Sequence, residues 1–304
     1  MNATSSPGPA ASASSGVITL AADPAMLGDR PIADAVRAVA AAGYPALELS
    51  PRQDFLPGFA PPATTPTLVK ILAREAAAAG VVIASTMVVY NWSSPDEDER
   101  RAAVGYWRTA ISIAADLGCG RLNTEFAGDP RRPSESEAAF RRSFEDLLPS
   151  LEAADVDLFV EPHPYDFVET GADALRILGS LGNARVGYIY CSPHAFYLGG
   201  SIPEQIAAGG PLLGHVHLAD TYSPRRIIVN PRGTDARVHQ HLDIGQGEVD
   251  WPTVFSSLAQ TAWGGLMTVS VFAWPERAEA SLIANLAKVR ELASTSGLAV
   301  RTNR

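Results

Sequence analysis

The strongest constraint on this chain is a rhythm. From Val17 onward, short runs of aliphatic and β-branched residues alternate with longer Ala- and Leu-rich stretches of helical periodicity. That pattern signals βα units, in which each crossover helix returns the chain to the same end of a parallel sheet. The runs are "VITLAA" from Val17, "ALELS" from Ala46, "VVIASTMVV" from Val81, "RLNTEF" from Arg121, "DLFVEP" from Asp157, "VGYIYC" from Val186, "GHVHLAD" from Gly214 and "LMTVSVF" from Leu266. Helices are expected around 32–43, 65–79, 97–117, 134–154, 171–181, 202–209, 250–261 and 275–295. Ser134 and Asp250 stand where N-caps are expected, and "PDEDERR" from Pro95 reads as a helix start with favourable acids in its first turn. Eight strand and helix pairs in about 280 residues have the size of a closed (β/α)₈ TIM barrel, an α/β fold. A doubly wound sheet is the rival, but no Gly-rich dinucleotide fingerprint follows "VITLAA", and polar residues recur at most strand ends rather than at one switch point.

Residues 17–295 are therefore expected to form a single barrel domain. Residues 1–16, "MNATSSPGPAASASSG", read as a disordered tail because Ser, Ala, Pro and Gly bury little, and 296–304 read as a C-terminal tail. The segment 221–249 is too long for an ordinary connection and reads as a functional loop after strand seven.

Charge and composition narrow the partners. A formal net charge of -9 argues against nucleic acid, since neutralising phosphates takes clustered Lys and Arg. No apolar run reaches the roughly 20 residues that cross a bilayer, so no membrane partner is expected. The leader has neither a basic start nor an apolar core, and Cys119 and Cys191 are too few for a disulfide framework. The expectation is a cytoplasmic enzyme for a small polar molecule, with self-association into a homo-oligomer left open.

In such a barrel, reactive groups come from the carboxyl ends of the strands and the loops that follow. Read in order, those ends carry Glu48, Tyr90 with Asn91 and Trp92, Asn123 with Glu125, Glu161 with His163, Cys191 with His194, His215 with His217 and Asp220, and Ser270. All 6 histidines fall at strand ends or in the loop holding His239 and His241, none on an outer helix. Imidazoles and carboxylates converging on one cavity are what a divalent metal site requires. For any one histidine, the competing reading is a hydrogen-bonded barrel filler.

His215 and His217 share one face of their strand, and the apolar Val216 and Leu218 between and after them point both histidines inward. His217, nearer the carboxyl end, is the ligand candidate, and His215 is its support. If "HQHLD" is extended, His239, His241 and Asp243 share one side, and the Gly-x-Gly that follows permits a tight turn back over the barrel mouth. Glu161 ends an apolar strand, where a carboxylate needs a metal or an ionic partner such as a barrel arginine. Glu125 has the same placement, with a structural role equally open. Arg237, beside the histidines, is a candidate for a substrate oxygen.

"LFVEPHP", "VGYIYCSPH", "GHVHLAD", "HLDIGQGEVDW" and "GGLMTVSVFAW", in that order, resemble the xylose isomerase-like TIM-barrel superfamily over roughly residues 17–295. That superfamily holds sugar and sugar-phosphate isomerases and epimerases, inosose dehydratases and isomerases, and apurinic endonucleases. In its epimerase branch one divalent ion is held by Glu, Asp, His and Glu. Glu161 and His217 match the first Glu and the His, while Cys191 and Ser270 stand at the other two positions. In the endonuclease branch, one metal's ligands resemble His194, His239 and His241.

The resemblance implies a metal-dependent isomerase or epimerase of a sugar or cyclitol, working through an enediolate. Its divalent ion would be manganese, zinc or cobalt, bound among Glu161, His194, His217, His239 and His241. Glu161 and Glu125 would move the proton, and His163, Arg237 and Asn123 would hold substrate oxygens. An inosose dehydratase-type lyase, a metal-dependent hydrolase and a sugar-binding barrel without turnover are the alternatives.

Overall fold

The computed structural model describes residues 16–52, 56, 64–224 and 240–301. Strands β1 (Val17–Ala22), β2 (Ala46–Leu49), β3 (Val82–Met87), β4 (Arg121–Glu125), β5 (Asp157–Glu161), β6 (Val186–Cys191), β7 (Leu213–Leu218) and β8 (Leu266–Val269) pair in parallel in chain order. The β1–β2 pairing closes the ring, so the protein is a (β/α)₈ TIM barrel. Around it lie α1 (Ile32–Ala41), α2 (Pro66–Ala79), α3 (Glu97–Asp116), α4 (Pro133–Ala154), α5 (Gly171–Leu181), α6 (Ser192–Leu198), α7 (Ile202–Gly209), α8 (Trp251–Gln260) and α9 (Ala278–Ser296).

Side-chain alternation explains how this barrel is filled. Leu158 and Val160 of β5, Val216 and Leu218 of β7, and Met267 and Val269 of β8 belong to the main hydrophobic core between sheet and helices. Their neighbours Phe159, Glu161, His215, His217 and Thr268 consequently face the barrel axis. At the amino-terminal end the Arg121 guanidinium lies 4.1 Å over the Phe159 ring and donates to the Gly214 carbonyl. A Cβ at Gly187 or Gly214 would collide with that ring, so glycine there makes room for an aromatic plug.

Three local expectations are corrected. Helix α4 starts at Pro133 with Arg132 as its N-cap, so Ser134 is already inside it; proline at the first helical position has no N–H to satisfy. A seven-residue helix, α6, follows β6 immediately, a segment the periodicity left unassigned. The segment read as a C-terminal tail contributes β9 (Ala299–Val300), which pairs with β1 outside the ring. Asp250 caps α8 through the Thr253 amide, and Asp96 caps α3 ahead of Glu97, Asp98 and Glu99. The tail residues 1–15 and, in the long loop, 225–239 lie outside the described residues. Among the described residues no helix is long and apolar enough to cross a membrane.

Candidate active site

Two strand pairings set the site. Glu125 is the register partner of Glu161 across β4 and β5, and Cys191 is the register partner of His217 across β6 and β7. Parallel register brings these four residues to the carboxyl-terminal mouth, although up to 92 residues separate them in sequence.

His217 is the centre. Its Nδ1 lies 2.8 Å from Glu161 Oε2 and its Nε2 lies 3.0 Å from Glu48 Oε1. The Nε2 contact is an ion-pair approach off the line of a hydrogen bond. Burial alone would lower the His217 pKa, but Glu48 and Glu161 outweigh it and hold the ring well above its ordinary value. Burial would likewise raise the Glu48 carboxyl, yet His217 and His215 bring it down to about 2. Neighbouring charges dominate burial on both partners.

Beneath His217 the side chains of the barrel interior hydrogen-bond to one another. His215 is fully buried, with Nε2 2.9 Å from Thr268 Oγ1 and Nδ1 3.1 Å from Asn123 Nδ2. Asn123 also donates to Glu48, as does Ser85. Burial pushes the His215 pKa well below its usual value. With Asn123 donating to Nδ1 and the ring neutral, the proton sits on Nε2, facing Thr268. Asn123, expected to hold a substrate oxygen, is thus fully buried a layer below the mouth, where it positions Glu48.

Above and beside His217 a second group of histidines gathers. The ring centroids of His163 and His194 are 4.6 Å apart, and those of His194 and His241 are 5.5 Å apart. His194 is carried by α6, which starts directly after Cys191, and its Nδ1 is 3.2 Å from the Pro162 carbonyl. His163 Nδ1 lies 2.7 Å from the Pro164 carbonyl and His241 Nδ1 lies 2.6 Å from the Ser270 carbonyl. A carbonyl can only accept, so each Nδ1 carries hydrogen and each ring is fixed by that bond. Desolvation holds the His241 pKa at about 4, and its ring stacks on Phe272 at 4.4 Å.

The loop after β7 delivers His241 through a buried carboxylate. Asp220 accepts from the amides of Thr221, Gly245 and Val249 at 2.8–3.1 Å and from the Trp251 indole at 2.8 Å. Gly245 has φ +94°, and a Cβ on Gly247 would strike Asp220 and Thr221, so the Gly-x-Gly turn is what lets the loop fold back on Asp220. Asp243 does not share the side of His241. Its carboxylate is buried against Asn285, Ser281 and Arg277, because the turn rotates it toward α9. His239 and Arg237 lie outside the described residues.

Glu125 is part-exposed, 3.5 Å from Arg52, and burial raises its carboxyl pKa. Trp92 is fully buried and packs on Trp107 and Phe140, which makes it core rather than site. Glu48 was legible only as one strand-end residue among many; the signal that singles it out is a carboxylate inside the apolar run "ALELS".

The donor set accommodates a divalent ion. Ligating atoms of Glu161, Cys191 and His217 all lie within 4.8 Å of one another, and so do those of Cys191, His194 and His241. Glu48, His215 and His217 meet the same spacing, but Ser85, Asn123 and Thr268 already engage that group. Glu161, His194, His217 and His241 are thereby brought to one mouth, with Cys191 between them.

A closed barrel with imidazoles and carboxylates at its carboxyl-terminal mouth defines a class of TIM-barrel proteins that work from that face. Residues 36–289 match the family model described as xylose isomerase-like TIM barrel, and the chain belongs to that family. A D-psicose 3-epimerase from Clostridium cellulolyticum H10, solved with D-tagatose, superposes with a TM-score of 0.74 at 16% identity, covering 90% of this chain and 99% of that one. The IolI protein, solved with a zinc atom bound, gives a TM-score of 0.75 at 18% identity over 92% and 99% of the two chains. The rhizopine catabolism protein MocC of Rhizobium meliloti is 25% identical over 183 residues, 55% of this chain. The match spans about half of that relative's length, 53%.

Proposed function

We propose that the protein is a metal-dependent isomerase or epimerase of a sugar or cyclitol, a small polyhydroxylated ketone or aldose, acting through an enediolate. The observation that carries this is the convergence of Glu161, Cys191, His194, His217 and His241 on one mouth, in a barrel whose structural neighbours include sugar epimerases. Glu161 and His217 would hold the ion, with Cys191, His194 and His241 completing the donor set. When bound, the ion supplies a Lewis acid that lowers the cost of enediolate formation.

The chain's own residues divide the remaining work. Glu161, on the floor of the mouth, accepts the carbon-bound proton, and Glu125 on the adjacent strand returns it. Burial raises the Glu125 carboxyl pKa, the direction that favours a group returning a proton. Glu48 holds the His217 ring, and through it the Glu161 carboxylate, in place. His163 stands at the rim to meet substrate oxygens, a role extended to Arg237 from the sequence.

Stereochemistry favours a proton shift on one face of the substrate. Two-base epimerisation needs carboxylates on opposite faces of the reacting carbon, but Glu125 and Glu161 come from neighbouring strands, and Ser270, just after β8, stands where the family resemblance places a second glutamate. Aldose–ketose isomerisation, or loss of a β-hydroxyl from the same enolate, needs only one face.

The test is solvent exchange. Ketoses, aldoses and inososes are incubated with the protein and a divalent ion in deuterium oxide and followed by NMR. Deuterium entering the carbon next to the carbonyl, dependent on the ion and lost in Glu161→Gln, is the expected result. Saturable sugar binding without exchange under any divalent ion would overturn the enzyme reading in favour of a binding barrel.

A further inference from the structure

Cys191 is where the two donor groups meet. It ends β6, is 2% exposed, faces the barrel axis beside its register partner His217, and is the member shared by the Glu161–Cys191–His217 and Cys191–His194–His241 triads. Cys119, the other cysteine, is also buried, but its Sγ lies 3.2 Å from the Arg121 carbonyl, away from every such triad among the described residues.

The residues around Cys191 change the character of the site in one direction. Just after β8, Ser270 contributes no carboxylate; its backbone carbonyl instead takes the Nδ1 hydrogen of His241 and fixes that ring at the mouth. On α6, the Pro162 carbonyl does the same for His194. The donors within reach are therefore one carboxylate, one sulfur and three imidazoles, rather than a ring of oxygens. Thiolate and imidazole favour zinc and cobalt(II), whereas carboxylate-rich oxygen sets favour manganese and magnesium.

We propose that Cys191 is a thiolate ligand of the bound ion and that, with His194 and His241, it makes the site selective for a thiophilic divalent ion, zinc or cobalt(II), over manganese or magnesium. The inference rests on the metal-dependent reading above and names the ligand that decides which ion is used. On binding, the sulfur–hydrogen bond breaks, a sulfur–metal bond forms, and the thiol proton leaves to solvent together with the proton that His217 gives up when it ligates. No redox change is involved.

The whole chain, stripped of metal with a chelator, is titrated with cobalt(II). A sulfur-to-cobalt charge-transfer band in the near ultraviolet should rise to one equivalent, persist in Cys119→Ser and vanish in Cys191→Ser. Competition between zinc and manganese should favour zinc by at least about 100-fold, and Cys191→Asp should narrow that preference by at least about tenfold. X-ray absorption of the zinc-loaded wild type needs no variant and should show a sulfur neighbour at about 2.3 Å. Stoichiometric zinc or cobalt binding with no sulfur band and no sulfur neighbour would overturn the role of Cys191 and leave the metal-dependent reading standing. Failure of the wild type to bind any of these ions would overturn both.

Discussion

The interior layer of the barrel and its mouth are built from the same residue types, and they behave differently. In the interior, Glu48, Ser85, Asn123, His215 and Thr268 interlock, and His215 is held neutral with a partner on each ring nitrogen. At the mouth, His194 and His241 are each fixed through Nδ1 by a backbone carbonyl, and both fall within a metal's reach of Cys191. Residue type does not separate scaffold from chemistry here. What separates them is what holds each ring: side chains of neighbouring strands in the interior, backbone carbonyls at the mouth.

Four predictions test that division, beginning with the largest effect. Glu161→Gln should cut proton exchange into substrate by about 10²–10⁴-fold while circular dichroism stays native, because the amide keeps the shape of the carboxylate and cannot take a proton. A rate within a few-fold of wild type would move the base elsewhere.

His217→Ala tests the residue that joins the two regions. It strips two buried carboxylates of their shared cation, so the metal-free protein should lose about 3–5 kcal/mol in urea unfolding. A loss confined to metal affinity, with stability unchanged, would place His217 with the mouth alone.

Asp23 supplies a pH test for the interior. It is 2% exposed, accepts from Ser50 and the Ala25 amide, and burial followed by the charge of Glu48 raises its pKa from 3.8 to about 7. A carboxyl raised in the folded state stabilises fully below its unfolded pKa, and the contribution is lost as pH rises through the folded value. Its share of stability should therefore fall between pH 3.8 and about 7, and Asp23→Asn should flatten that part of the profile. Unfolding free energies of the two proteins across that range, compared at fixed ionic strength, would show parallel curves if Asp23 titrates normally.

The smallest effect is expected for Asn123→Ala, about 1–3 kcal/mol of stability from the acceptors it leaves unmet, with zinc stoichiometry unchanged. A rise in KM without any change in stability would return Asn123 to the substrate contact that its strand-end position suggested.

Legibility in the sequence followed the periodicity. The eight strands, most of the helices and the inward direction of His215 and His217 were readable because alternation in β7 and the Ala-Leu rhythm of the helices are local properties. Helix α6 was missed because "SPHAFYL" is too short to show a period, and the pairing of Ala299–Val300 with β1 depends on a strand nearly the whole chain away. At the site, Glu161, His194 and His217 were named from their places at strand ends and His241 from the loop after β7. Asn123 was named by the strand-end rule and Asp243 by alternation in that loop, and both hydrogen-bond away from the mouth.

The sequence alone determined that polar residues distant along the chain would share one mouth, because parallel strands of similar length end at one rim. Only the tertiary structure decided depth and direction. Asn123 and Glu125 lie two residues apart on one face of β4, yet the first is sealed in the interior and the second reaches the rim. Strand tilt and stagger shift equivalent positions along the axis, and the turn held by Asp220 sends His241 inward while Asp243 goes to α9. Those offsets are sums over the whole closed sheet, and no local stretch of sequence contains them.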